Sequence, residues 1–142
     1  MPDRDPALAA LDRLVGTWDT EVTHRLVDGV IRGTTTFEWL GDRAFLVQRS
    51  HVDDDRFPDA IAIFGPPEHG EGLVMEWFDT RGVRRTYAVS VEDGVLRYWR
   101  DQPGFDQRVT AILGDDRFEG VGELAETPGA WVHDIRVVHR RR

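Results

Sequence analysis

The chain has 142 residues, with 18 Arg and no Lys against 26 Asp plus Glu, a formal charge of −8 and no Cys. That length suits one domain spanning residues 1–142, and 40% hydrophobic residues is the content of a globular chain. Without Cys there are no disulfides, thiolate metal sites or cysteine nucleophiles, and the acidic balance argues against a nucleic-acid partner.

From Pro6 to Val15 the apolar residues Ala7, Leu8, Leu11, Leu14 and Val15 form one stripe, which predicts a helix of about three turns. Asp5 is placed to cap it, Pro6 suits its first position, and Gly16 stops it. Everything after Gly16 reads as strands. Trp18, Thr20, Val22, His24 and Leu26 alternate with polar neighbours, Asp28-Gly29 reads as a hairpin turn, and Ile31–Leu40 alternates again. Further strands are predicted near Ala44–Val52, Ala60–Phe64, Leu73–Phe78, Arg84–Val91, Val95–Arg100, Asp106–Leu113, Arg117–Ala125 and Trp131–Arg140. Turn signals separate them, among them Gly41-Asp42, Gly65-Pro66-Pro67, Asp93-Gly94 and Pro128-Gly129.

About ten short strands with tight turns and no second helix imply an all-β antiparallel fold, a barrel or a sandwich. A meander of ten strands keeps two edges unless it closes, and no strand here is blunted by Lys or Pro. Closure into an up-and-down barrel is therefore the expectation. The start of the chain, Met1 to Pro6, is charged, and no apolar run approaches the roughly 20 residues a bilayer requires. A soluble cytoplasmic protein without a membrane partner, monomeric or homodimeric, is expected.

A short helix running into Gly16-Thr17-Trp18 resembles the opening of the calycin superfamily of lipocalins, fatty-acid-binding proteins and nitrobindins. The resemblance implies a lipocalin-like barrel in which Trp18 lies across the closed end under an arginine of the last strand, here Arg136 or Arg140. Gly33–Leu40, Phe45–Arg49, Phe78–Val83, Arg100-Asp101, Phe105–Arg108 and Trp131–Asp134 further resemble a bacterial family of unknown function, the DUF1579-like proteins. That family implies no activity. Nitrobindins bind ferric heme through a late histidine, so the wider resemblance raises heme as a cofactor, with His133 and His139 as late histidines.

Several residues could carry chemistry. If Trp18 points inward, alternation turns His24 inward too, as a base, a polar anchor or simply a hydrogen-bonded interior histidine. On the last strand His133 and His139 share one face and Arg136 and Arg140 the other; inward arginines would turn the histidines out. One of Arg84 and Arg85 must face inward beside Tyr87, to meet a ligand carboxylate or to pair internally with Glu76, Asp79 or Glu119. Phe37, Trp39, Trp77 and Trp99 either line a ligand pocket or fill the barrel. No serine-hydrolase elbow, phosphate loop or metal-ligand spacing is present, and Gly120-Val121-Gly122 reads as close packing or a bulge.

The reading that follows is a barrel binding one small, largely hydrophobic molecule, its polar end met by an inward Arg or His. His24, Phe37, Trp39, Trp77, Arg85, Tyr87 and Trp99 are the candidate ligand contacts, and Trp18, Arg136 and Arg140 the structural set. The alternatives are an isomerase or cyclase working inside the barrel, with His24, Tyr87 and an inward Arg as its groups, and a nitrobindin-like heme protein.

Overall fold

The structure, a computed structural model, describes residues 5–41 and 43–142; Met1–Arg4 and Asp42 of the Gly41-Asp42 turn signal lie outside the described residues. Ten antiparallel strands close into a barrel in which each strand pairs with its neighbours in sequence and the last returns to the first. They are β1 (Gly16–His24), β2 (Val27–Leu40), β3 (Phe45–Val52), β4 (Ala60–Gly65) and β5 (Leu73–Asp79). The circuit continues through β6 (Arg84–Glu92), β7 (Val95–Arg100), β8 (Asp106–Ile112), β9 (Arg117–Ala125) and β10 (Val132–Arg141). Closure satisfies both edges of the meander. Among the described residues no helix is long and apolar enough to cross a membrane.

The N-terminal stripe forms α1 (Pro6–Ala10) and then a 3₁₀ turn over Leu11–Leu14. Its leucines explain the change of winding. Leu8, Leu11 and Leu14 recur every third residue and are all buried, a spacing that three residues per turn keeps on one side. The Asp5 carboxylate accepts the Ala7 N–H at 2.8 Å to cap the first turn. These leucines plug one end of the barrel against Trp18, Phe37, Leu46, Phe64, Met75, Val89, Leu96 and Phe118.

The β1–β2 turn lies at Arg25-Leu26, three residues earlier than the Asp28-Gly29 signal suggests. The His24 Nδ1 accepts the Leu26 N–H, and Arg25 N–H donates to Asp134 O, which hold the tighter turn. Gly29, at φ +83°, falls instead in the irregular stretch of β2 where its register with β1 shifts. A second irregularity lies at Asp134, between His133 and Ile135. Opposite it, a Cβ on Gly122 would stand 2.6 Å from Ile135 Cγ2, so the glycine serves close packing.

Candidate functional site: the open half of the barrel

Trp18 is completely buried and donates its indole N–H to Leu14 O at 2.8 Å, joining the plug to the first strand. The cation over its ring is Arg141, 4.1 Å from the centroid, and not Arg136 or Arg140. The Arg141 guanidinium also donates to the carbonyls of Asp115, Val15 and Arg13. Gly16 makes room for it: at φ +134° a side chain would be strained, and its Cβ would sit 2.7 Å from Arg141 Nη1. Arg136 and Arg140 point outward, to Glu119 at 2.9 Å and Glu21 at 3.2 Å. Thus the inward face of β10 carries His139 and Arg141 together. The choice between inward Arg136 or Arg140 and inward histidines omitted Arg141, which shares His139's parity.

His139 lies over the plug, 7% exposed and stacked on Phe118 at 4.3 Å. Its Nδ1 is 3.1 Å from the Thr20 hydroxyl, itself 2.7 Å from that of Thr35. Burial pulls the imidazole pKa down to about 4, so at neutral pH His139 is uncharged. These three side chains make a polar layer above an apolar one. Below it Phe118 meets Trp18 edge-on at 4.8 Å.

Above the layer the packing changes. Along interior faces, fully buried Leu46, Leu96 and Ala111 give way to half-buried Gln48, Tyr98 and Val109. Val137 and Ile135, above His139 on β10, are half-buried as well. Val22, Ile31, Tyr87 and Leu124 in the same half are buried, so it is only partly filled, a shallow cup whose accessible wall is Gln48, Tyr98, Val109, Ile135 and Val137. Tyr98 stands deep in it, between Phe64 and Tyr87, and burial raises its phenol pKa. Tyr87 donates to Gln107 Oε1 at 3.1 Å; burial raises its pKa, against the opposing fields of Arg85, Arg100 and Arg81.

Of the expected ligand contacts, Arg85, Tyr87 and Trp77 share the interior face near the mouth, with Trp77 opposite Arg85. The Trp77 indole donates to Asp79 Oδ2 at 2.9 Å. Arg84 is the outward member of its pair, 3.7 Å from Glu76. Phe37 belongs to the buried core cluster, and Trp39, paired with fully buried Leu46, packs against that cluster as Trp77 does. Trp99 is on the outer face, 37% exposed. His24 stands at the rim with both nitrogens occupied, Nε2 being 3.3 Å from Asp134 Oδ1, and its ring meets Phe57 edge-on. His133, His51 and His69 are exposed. Among the described residues no group of three or more His, Asp or Glu is placed to hold a metal ion.

Arg100, Arg141 and His139 are among the interior residues that the sequence left unassigned. Parity could have found His139, since Thr20 opposite it shares the Trp18 face. These features define a closed antiparallel barrel plugged at one end by the N-terminal helical segment. It is similar to the crystal structure of Rv2717c from M. tuberculosis, with a TM-score of 0.65 at 14% identity over 99% of each chain. No protein-family model and no curated protein matches the sequence.

Proposed function

We propose that the cup binds one small, largely apolar molecule, its polar end met by Arg85 or by the His139 layer. The observation that carries this reading is the partial exposure of inward Gln48, Val109, Ile135 and Val137 above the fully buried plug. A protein that needed only a stable barrel would fill that half with side chains, at about 25 cal/mol for each Å² of apolar surface removed from water. Here the inner wall is apolar at Val109, Ile135 and Val137 and polar at Gln48, Ser50, Arg85 and Gln107, the mixture that orients a ligand. The Trp18 closure supports the calycin resemblance, and within it we place the chain with the DUF1579-like proteins on the segments that suggested them.

Native mass spectrometry of the purified protein, with titration of a neutral aromatic probe, N-phenyl-1-naphthylamine, tests the reading. One-to-one binding, weakened by filling the cup with Val137→Trp, is expected. Failure to bind the probe at any concentration up to its solubility would remove it.

One observation favours a heme reading. His139 is a neutral imidazole on the last strand whose Nδ1 is engaged by Thr20, which leaves Nε2 as the ligating atom. A Soret band on adding hemin, lost in His139→Leu, would establish it; no band would exclude it. An isomerase or cyclase reading has weaker support, because the His24 nitrogens are occupied.

A further inference from the structure

The strands do not end level at the mouth. β6 starts at Arg84, but its pairing with β7 begins only at Ala88, opposite Trp99, and β7 stops at Arg100. Arg84 to Tyr87, about 13 Å of chain at 3.3 Å per residue, therefore have β5 on one side and no paired strand on the other. In an antiparallel strand alternate residues turn both N–H and C=O toward the same neighbour, so half of this stretch turns its main-chain groups toward the step. A groove of about 410 Å³ occupies the step.

Residues of both faces line it. Arg84, Thr86, Ala88 and Trp99 belong to the outer surface, and Arg85 and Arg100 to the inner one, so the groove lies on the outer face of the rim with two inward arginines at its edge. The lining is cationic in a chain whose net charge is −8. Arg84 is met by Glu76. Arg85 lies 5.4 Å from the Phe105 ring centroid, and neither it nor Arg100 has a carboxylate partner among the described residues. By contrast Arg108, Arg117, Arg136 and Arg140 each reach a glutamate. Asp101 is the one carboxylate in the lining.

We infer that this step in the rim is a receptor for the anionic group of an organic acid, whose apolar body lies over the wall and into the cup. The inference rests on the cup being a ligand cavity and adds the ligand's class and direction. Two guanidinium forks are donors that suit a carboxylate or sulfonate. Trp99 supplies an aromatic wall outside, and Val109 and Val137 receive the apolar body within.

Two fluorescent probes that differ only by the anion separate this inference from the reading beneath it. They are 8-anilino-1-naphthalenesulfonate and N-phenyl-1-naphthylamine, titrated into the wild type, Arg85→Met, Arg100→Met and the exposed control Arg97→Met. The wild type is expected to bind the sulfonate at least about tenfold more tightly than the neutral probe, and each of the first two substitutions to remove most of that preference. Neutral-probe affinity should stay within about twofold of wild type in Arg97→Met, and far-UV circular dichroism shows that the variants are folded. Equal affinity for both probes in the wild type, or a sulfonate preference that survives both substitutions, overturns the inference and leaves the cup standing. No binding of either probe overturns both.

Discussion

Replacing Arg141 by alanine tests how the closed end is held. The substitution removes the cation 4.1 Å above the Trp18 ring and the donors to three main-chain carbonyls. A cation over an indole contributes about 1 kcal/mol when partly exposed, and each hydrogen bond from a charged donor about 1–2 kcal/mol. The Arg141 side chain is 29% exposed, so water can reach some of the released carbonyls, and a net loss of about 3 kcal/mol is expected. Unfolding entropy of about 2.1 cal/mol/K per residue gives about 0.3 kcal/mol/K for 142 residues, so this loss lowers Tm by about 10 °C. Arg136→Ala and Arg140→Ala remove outward ion pairs whose arginines are more than half exposed, and each should cost under about 1 kcal/mol. Calorimetry of the three variants side by side is the assay. A Tm loss in Arg140→Ala equal to or greater than that in Arg141→Ala would refute the parity assigned to β10.

Three more consequences can be checked on the same protein. The His139 pKa falls from 6.5 unfolded to about 4 folded, so the unfolded chain binds the proton more readily between these values. Stability is then full above pH 6.5 and is lost as pH falls toward 4, by at most about 3 kcal/mol; urea midpoints should show a shallower acid loss in His139→Gln, and an identical loss would count against a buried neutral imidazole. Gly33→Ala would place a Cβ 2.0 Å from the His51 carbonyl oxygen, so unfolded or insoluble protein is expected on expression. Gly120→Ala, whose Cβ would meet Ala111 at 3.7 Å, should stay within about 1 kcal/mol of wild type by urea denaturation; the opposite order of effects would contradict the interstrand packing.

Period-two alternation made the strands legible, because a barrel buries one face of each, and the ten runs match the ten strands to within a few residues. Closure was legible from the lack of any defended edge. The first hairpin was not, since the turn signal at Asp28-Gly29 belongs to a strand irregularity that only pairing with β1 reveals. The site was partly legible. Arg85 and Tyr87 follow from alternation alone, but the step that leaves Arg100 beside them depends on where β7 ends relative to β6. Phe37 and Trp99 could not be sorted by residue type. An aromatic in the core and one on the outer face read alike until the height along each strand and its parity are known.

Methyl NMR of the protein titrated with N-phenyl-1-naphthylamine asks directly where a ligand goes. Saturable shifts of the Val109, Ile135 and Val137 methyls, with Leu8, Leu11 and Leu14 at the plug unmoved, are expected. Shifts confined to outward Ile112 and Val121, or none at saturation, would show that the cup is not the binding site.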